Sequence, residues 1–185
     1  VIKTIKGENK MDKNIIQAIK DRVSTRSYQP KEVSDDVIKK VLEAAHLAPS
    51  AGNLQPWEFY VVKNSDKIKE LTQIAKNQEW MMEAPVIIVV CANPHLSANK
   101  YGKKGEELYA LQDTSAAIEN MLLAAEAYDL GSCWVGGFDE SQVKQILDLK
   151  QELVPVAFVT IGYPAGKLEE MRPQRAVEDV TTIIN

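Results

Sequence analysis

Apolar residues recur at helical spacing in five stretches of the chain, which predicts five helices. In order, these are residues 14–22, a helix capped by Ser34 that ends before Pro49, a helix capped by Asn64 or Ser65, residues 108–130, and a helix capped by Asp139. Ser, Asn and Asp suit the N-cap position because their side-chain oxygens accept bonds from the free N–H groups of the first turn. Gly131 is expected to end the helix 108–130 as its C′ residue.

Four short runs of β-branched and aromatic residues predict strands at 57–62, 85–91, 132–136 and 154–161. The run 85–91 is apolar at every position, as expected for a central strand that is covered on both faces. A further β-branched run at 180–184 has no neighbour in the sequence with which to pair. Because helices and strands do not alternate strictly, the pattern favours an α+β fold over a doubly wound parallel sheet.

Two segments fall outside this pattern. Residues 93–106 contain two glycines and several lysines, and they form the longest patternless segment, which predicts a loop and the best candidate for a mobile lid. Residues 1–10 are polar and basic and lack the apolar centre of a signal peptide. We therefore expect residues 1–10 to be a leader or an expression remnant, and residues 11–185 to form a single domain.

Composition and charge exclude several classes of protein. The 185 residues are 45% hydrophobic and 26% charged, as in an ordinary globular domain. A formal net charge of −4 gives no general reason to bind nucleic acid or an anionic membrane, so a bound anion needs a local cluster of cations. The longest apolar run, 85–92, is too short to cross a bilayer. We expect a cytoplasmic protein without nucleic-acid or membrane partners.

Metal and nucleophile chemistry have little support in the sequence. Cys91 and Cys133 lie in apolar runs, and no CxxC or Cys/His ligand spacing occurs, so we expect buried reduced thiols and no metal site. His46 lies among apolar helix residues and His95 lies in the patternless segment, and no Gly-x-Ser-x-Gly elbow is present. The glycine-rich loops GxGxxG and GxxxxGK[ST] are missing as well.

Residues 22–28, Arg-Val-Ser-Thr-Arg-Ser-Tyr, are the first candidate binding site. Arg22 and Arg26 stand four residues apart with Ser24 between them. Two guanidinium groups and a hydroxyl group can converge on one phosphate, because arginine offers forked donors to phosphate oxygens. The alternative is a solvated helix end at which the arginines complement the helix dipole.

The loop 48–57, Ala-Pro-Ser-Ala-Gly-Asn-Leu-Gln-Pro-Trp, is the second candidate. Ser50, Asn53 and Gln55 supply donors and acceptors between two prolines, and such a loop can bind the polar edge of a flat heterocycle. A polar turn that joins a helix to a strand is the alternative.

Two more candidates lie towards the C terminus. Gly136 and Gly137 lack Cβ atoms, so their backbone N–H groups can approach a ligand ring closely; a simple strand turn is the alternative. Arg172 and Arg175 follow a predicted strand and turn, and they can complete a phosphate site. An exposed basic segment is the alternative there.

The order of these motifs along the chain resembles the FMN-dependent nitroreductase family. The resemblance covers about residues 12–182, and the loop with Gln-Pro-Trp is its most specific part. Between that loop and Gly136, the matching motif is Asp113 followed by Asn-Met-Leu-Leu-Ala-Ala at 120–125. The resemblance implies an α+β fold with a mixed central sheet flanked by helices. It also implies a homodimer that binds FMN at the subunit interface, with the C-terminal segment extending onto the other subunit.

The resemblance assigns cofactor contacts by position. Those to the FMN phosphate, ribityl chain and ring edge fall on Arg22, Val23 (through its backbone), Ser24 and Arg26. The contacts made across the dimer, to the cofactor of the other subunit, fall on Pro49, Ser50 and Asn53. The remaining contacts fall on Asn77 near the pyrimidine edge, Gly136 and Gly137 near N5 and O4, and Arg172 and Arg175 at the phosphate. Val23 stands where many members have a second basic residue, so one contact is expected to be weaker here.

The activity implied by the resemblance is that of an FMN-dependent NAD(P)H oxidoreductase. NADH or NADPH would deliver hydride to flavin N5, and a nitroaromatic, quinone or related electron-poor acceptor would take it in a ping-pong cycle. The flavin carries the chemistry, so no catalytic side chain is required. The alternatives are a specialised family member (a dehalogenase or flavin-modifying enzyme), a flavin-binding or storage protein without turnover, and a structural domain without cofactor.

Overall fold

The computed structural model describes residues 15–166 and 173–184, and this part of the chain contains six α-helices and four strands. The helices are α1 (Ile15–Asp21), α2 (Asp35–His46), α3 (Ser65–Gln73), α4 (Pro94–Lys104), α5 (Ala110–Ala127) and α6 (Glu140–Leu147). The strands are β1 (Trp57–Val62), β2 (Val86–Ala92), β3 (Gly131–Val135) and β4 (Val154–Gly162). The predicted leader, residues 1–10, lies outside the described residues.

The four strands form one antiparallel sheet in the order β1-β2-β4-β3. Phe59 faces Val90 across the first pair, and Cys133 faces Thr160 across the last. The α+β class is therefore confirmed. Parallel pairing within the described residues is limited to a single bridge between Ser24 and Ser132, which joins the segment after α1 to the edge of the sheet.

Apolar side chains cover both faces of the sheet. Along β2, Ile88 and Val90 belong to the core cluster under α2 and α5, whereas Val89 and Cys91 belong to the cluster under α3 and α6. All seven β2 residues are buried, which confirms the predicted central strand. Each fully buried aliphatic side chain of this kind stabilises the fold by roughly 1.5–3 kcal/mol. Both cysteines are buried, as expected, and no disulfide joins them.

Two of the predicted helix caps are confirmed. The Asn64 side chain accepts a bond from Lys67 N at 3.0 Å, and Asp139 accepts bonds from the backbone of Ser141 and Gln142 at the start of α6. Ser34 has the extended backbone of an N-cap at α2, but its side chain makes no capping bond. The first turn of α2 therefore depends on its two acidic residues to complement the helix dipole.

Residues 93–106 are not a loop, and this prediction was wrong. They form α4, which a one-turn π-helix (Gly105–Tyr109) joins directly to α5. The helical spacing is hidden because Gly102 interrupts it with φ 56° and ψ −146°, a conformation that glycine adopts readily. None of the helices in the described residues combines the length and the apolar character needed to cross a membrane.

Gly131 does not end α5, contrary to the prediction. The helix is closed by Asp129, which takes the left-handed conformation (φ 58°) and donates its N–H to the carbonyl of Glu126, while Leu130 donates to Ala125. This pair of hydrogen bonds is the Schellman motif, here with aspartate in place of glycine. Gly131 instead begins β3, so its role lies in the sheet.

Apolar residues at the two ends of the described chain remain exposed. Ile15, Ile16 and Ile19 of α1 are each about half exposed, and Ala18 alone is buried. In the segment 173–184, Val177, Val180, Ile183 and Ile184 are all exposed. The run 180–184 pairs with no strand among residues 15–166, so its predicted place on a second subunit stays a prediction.

Candidate flavin site

The first wall of the candidate site is the segment 22–28, which lies along the beginning of β3. Thr25 N donates to Ser132 O at 2.9 Å, and Ser24 forms the parallel bridge with the same residue. A Cβ atom on Gly131 would lie 2.5 Å from Thr25 Oγ1, so glycine is what permits this close approach. The segment is thus attached to the sheet through its backbone.

Tyr28 anchors the far end of this segment in the core. Its hydroxyl donates to Thr25 O at 2.8 Å and lies 2.7 Å from Thr160 Oγ1 on β4. Its backbone N–H donates to the carboxylate of Glu83 at 3.1 Å. Burial raises the pKa of the Tyr28 phenol far above its ordinary value, so this hydroxyl stays protonated at any physiological pH.

Thr25 and Tyr28 of this segment are buried, whereas its other polar side chains lie nearer the surface. Arg22, Ser24 and Arg26 are all half-buried. The Arg26 guanidinium lies 5.9 Å from the centre of the Trp80 ring, a cation–π contact, and no residue in 15–166 or 173–184 forms an ion pair with Arg22. The convergence of these donors on one phosphate stays a prediction, and the sequence gave no sign of Trp80 beside Arg26.

Gly136 and Gly137 leave the opposite end of β3 and are exposed. A Cβ atom on either glycine would meet no atom within 4 Å, so the space beside their backbone is open. Gly137 O accepts a bond from Lys76 N at 3.0 Å, and the next residue, Phe138, forms a bridge with Ala75. The segment 74–77 is therefore held against the glycine pair.

Asn77 follows Lys76 directly, is exposed, and has φ 54°. Asn77 is thus next in sequence to a residue bonded to Gly137, and its place near the pyrimidine edge of a flavin stays a prediction. Trp80, three residues after Asn77, contacts Arg26. The segment 74–80 therefore contacts the glycine pair at one end and Arg26 at the other. We call residues 22–28, 74–80 and 136–137 the sheet half of the site.

The loop 48–56 is the second candidate segment, and together with Asp113 we call it the helix half. Ser50 Oγ accepts a bond from Gln55 N at 3.0 Å, and Asn53 Oδ1 accepts one from Gln55 Nε2 at 3.1 Å. Asn53 and Gln55 both have positive φ values, 57° and 50°. The loop therefore has one specific shape that its own side chains hold, and Pro49 and Asn53 are exposed on it.

Asp113 on α5 fixes this loop to the protein. Both of its carboxylate oxygens accept the N–H of Ala51 at 3.1 Å. Burial of Asp113 raises the pKa of its carboxyl group, while the Ala51 bond lowers it. The sequence marked Asp113 as part of the motif pattern but did not assign it a role, because nothing in a sequence shows that a helix carboxylate lies beneath a distant loop.

The late arginine pair is only half within the described residues. Arg172 lies outside them. Arg175 is exposed and donates from its guanidinium to the carbonyl of Asp179 at 2.9 Å. The role of both residues at a phosphate stays a prediction, as does the contact through the backbone of Val23.

The polar groups of these elements suit a flat anionic ligand. The sheet half offers two guanidinium groups and a hydroxyl at one end of β3, and accessible backbone at the other. Ser132 and Gly136 are four positions apart in extended chain, so their Cα atoms are separated by about 13 Å. Among the described residues, no three His, Cys, Asp or Glu side chains come together as a candidate metal site.

Comparison with known proteins identifies the family. The Nitroreductase family profile matches residues 19–163. A relative from Archaeoglobus fulgidus, provisionally named as an NADH dehydrogenase/NAD(P)H nitroreductase, is 37% identical over 153 residues, which cover 80% of this chain and 84% of the relative.

Solved structures share the fold. A nitroreductase family protein from Streptococcus pneumoniae superposes with a TM-score of 0.84 at 25% identity and covers 91% of this chain and 99% of its own. An FMN-dependent nitroreductase from Clostridium difficile gives a TM-score of 0.78 at 25% identity, covering 92% and 99%. The chain therefore belongs to the nitroreductase family and is similar throughout most of its length to NAD(P)H oxidoreductases.

Proposed function

We propose that this protein is an FMN-dependent NAD(P)H oxidoreductase that works as a homodimer. The observation that carries the proposal is the layout of the sheet half, in which half-buried arginines and an open glycine pair lie at the two ends of one strand. FMN has a phosphate at one end and a flat ring at the other. The similarity to an FMN-dependent nitroreductase and to an NAD(P)H nitroreductase supports the same cofactor and donor.

The residues present fit this cofactor. A phosphate of roughly −2 charge needs clustered cations in a protein of net charge −4, and Arg22 has a guanidinium without a carboxylate partner in the described chain. Ser24 adds a hydroxyl donor beside it. The space next to Gly136 and Gly137 admits a ring that a Cβ atom at either position would obstruct.

Bound FMN would accept hydride from NADH or NADPH and pass the electrons to an acceptor such as a nitroaromatic or a quinone. The chain's own residues position and stabilise it. Arg26 supplies positive charge at the end of β3 where the phosphate would lie, and its guanidinium contacts the Trp80 ring. Asn77, which follows the residue bonded to Gly137, would offer its side-chain amide to the polar edge of the ring.

The homodimer accounts for the exposed apolar surface of α1. A groove of about 340 Å³ is lined by Ile15, Ala18, Ala44, Leu47, Asn120, Leu123, Ala124 and Ala127, and Leu47 is 81% exposed. A second copy that covers this surface would bring its own loop 48–56 towards the sheet half of the first subunit. Ser50, Asn53 and Pro49 would then contact the cofactor of the other subunit.

An absorption spectrum of the purified protein, followed by anaerobic addition of NADH or NADPH, tests the proposal. We expect flavin bands that the nicotinamide donor bleaches and that an acceptor restores. Flavin bands that neither donor bleaches would indicate a binding or storage protein. Colourless protein that fails to take up added FMN would overturn the proposal altogether.

Substitution of the arginines locates the phosphate. Arg22→Ala with Arg26→Ala removes two charge-assisted contacts, each worth about 1.5–3 kcal/mol, so the variant should release FMN on gel filtration. Lys39→Ala is the matched control, because it removes an exposed charge from α2 that pairs loosely with Glu43. Unchanged FMN content in the double variant would show that the phosphate lies elsewhere.

A further inference from the structure

Two polar side chains of α4 converge on the loop 48–56. Gly52 has φ 60°, and a Cβ atom placed on it would lie 2.5 Å from Lys100 Nζ and 2.6 Å from the Tyr101 hydroxyl oxygen. An ammonium group and a phenol thus meet at one point of the helix half. Gly52 is required twice, first for its backbone conformation and second to leave room for these two groups.

Neither group is satisfied by the described protein. Lys100 forms no ion pair within residues 15–166 or 173–184, and its ammonium lies 5.4 Å from the centre of the Tyr101 ring. The Tyr101 hydroxyl has no hydrogen-bond partner there, although its ring packs edge-on against Tyr109 at 5.3 Å. Lys103, by contrast, pairs with Glu107 at 3.4 Å.

The backbone holds this pair in position. Gly102 follows directly and breaks α4, with nothing within 4 Å of where its Cβ would lie. Gly105 then packs against the backbone of Ser97, a buried residue earlier in α4, and this contact fixes the path of the chain across the break at Gly102.

We propose that Lys100 and Tyr101 bind the anionic group of a reactant that approaches the flavin. The inference rests on the proposed function, because the loop 48–56 is there a wall of the cofactor site. A lysine ammonium is a point charge suited to phosphate or carboxylate oxygens, and a tyrosine hydroxyl adds one directed donor. The anionic group is either a phosphate of the nicotinamide donor or the carboxylate of an acidic acceptor.

Separate measurement of the two half-reactions tests the inference, using FMN-loaded wild type, Lys100→Gln and Tyr101→Phe. The donors are NADH, NADPH and the uncharged N-benzyl dihydronicotinamide; the acceptors are p-nitrobenzoate and the uncharged p-nitrobenzyl alcohol. Lys103→Gln is the matched control, because it removes the same charge from the same helix away from Gly52. Calorimetric titration with NADP⁺ and with benzoate adds a readout that does not depend on turnover.

We expect Lys100→Gln to lower the second-order rate constant for the anionic reactant about tenfold, and Tyr101→Phe about threefold. The same reactant, or its unreactive analogue, should bind correspondingly more weakly in the titration. Rates with the uncharged compounds, FMN content and the Lys103→Gln variant should not change. Loss confined to NADH and NADPH identifies the donor's phosphates, and loss confined to p-nitrobenzoate identifies an acidic acceptor.

Two results would overturn the inference alone. One is equal loss for charged and uncharged reactants in a variant that retains FMN, which would indicate a purely structural role for α4. The other is no loss for any charged reactant. A wild-type protein that neither binds FMN nor is reduced by nicotinamide donors would instead overturn the proposed function, and this inference would fall with it.

Discussion

The two halves of the candidate site are held in place by different kinds of interaction. The sheet half is attached through backbone bonds, Thr25 N to Ser132 O and Lys76 N to Gly137 O, to a strand whose neighbours are buried. The helix half is attached at its middle through one side chain, the Asp113 carboxylate that accepts Ala51 N, and at its end through the backbone bond from Asn93 N to Pro56 O. Backbone pairing tolerates most side-chain changes, whereas a single carboxylate is lost with one substitution.

This difference suggests a division of roles. The sheet half serves as the cradle, because backbone bonds to the sheet and to the glycine pair set its shape. The helix half has a shape set by three residues with positive φ and by a few side-chain bonds, so small changes there alter what it contacts. If two subunits each contribute one half, the cradle and the adjustable wall of each site come from different chains.

Subunit complementation tests most directly whether the two halves of each site come from different subunits. Arg22→Ala with Arg26→Ala disables the sheet half, and Asp113→Ala disables the helix half, so neither variant alone should retain FMN. When the two variants are unfolded together and refolded, each mixed dimer should regain one intact site, made of the unaltered half from each chain. Flavin absorbance and NADPH oxidation of the mixture measure the recovery.

The control for complementation is each variant refolded alone, with its dimeric state checked by gel filtration. If both halves of a site came from the same chain, every site in a mixed dimer would contain one disabled half. A mixture that contains mixed dimers yet recovers no flavin would therefore contradict the assignment of the loop 48–56 to the other subunit's cofactor.

A methyl group on Gly131 should damage the sheet half severely. In Gly131→Ala the new Cβ would lie 2.5–2.7 Å from three atoms of the Thr25 side chain, which is buried and β-branched and so has little freedom to move. Overpacking of this kind costs about 3 kcal/mol. Urea unfolding measures the loss, and Thr25→Ser in the Gly131→Ala background should recover part of it. An unchanged unfolding midpoint would mean that the two segments are not tightly paired.

A methyl group on Gly52 should have a smaller effect on the helix half. Its Cβ would meet the far ends of Lys100 and Tyr101, which can swing aside, so most of the penalty comes from the positive φ. That penalty is about 1–2 kcal/mol, and the same urea titration measures it. The two glycines thus compare a rigid neighbour with flexible ones. A loss as large as that of Gly131→Ala would show that the two side-chain tips are fixed.

Local sequence rules predicted most elements of this fold. Strand β1 was predicted with its observed bounds, and the Asn64 and Asp139 caps were predicted because their mechanism lies within three residues of sequence. The helix α4 was missed because its glycines interrupt the apolar spacing, and tertiary contacts, such as that between Gly105 and Ser97, override the local preference. The role of Gly131 was misread because its reason, Thr25, lies more than a hundred residues away.

The candidate site divides along the same line. Donors close together in sequence, such as Arg22, Ser24 and Arg26, could be proposed as a cluster from the sequence alone. Contacts between distant segments were not, and these include Trp80 beside Arg26 and Asp113 beneath Ala51. Only the order of motifs along the whole chain, not any one of them, indicated the family that the profile match then confirmed.

Acid titration offers the finest test of the two halves, because each contains or adjoins an aspartate whose pKa is shifted in the opposite direction. Asp139 caps α6 just after Gly137, and bonds from Ser141 and Gln142 lower its pKa to about 2. Its stabilising effect is present above about pH 4, the range of an unfolded aspartate, and is lost as the pH falls towards 2.

Asp113 behaves in the reverse sense. Burial raises the pKa of its carboxyl group, so its contribution to stability is present when it is protonated at low pH and is lost as the pH rises through the folded pKa. Stability should fall less steeply in Asp139→Asn than in wild type as the pH is lowered from 5 to 2. In Asp113→Asn it should fall more steeply. Thermal unfolding across this range measures both slopes relative to wild type. Two variants that shift the slope in the same direction would show that the carboxylates do not differ as the structure indicates, and the contrast between an exposed cap and a buried tether would fail.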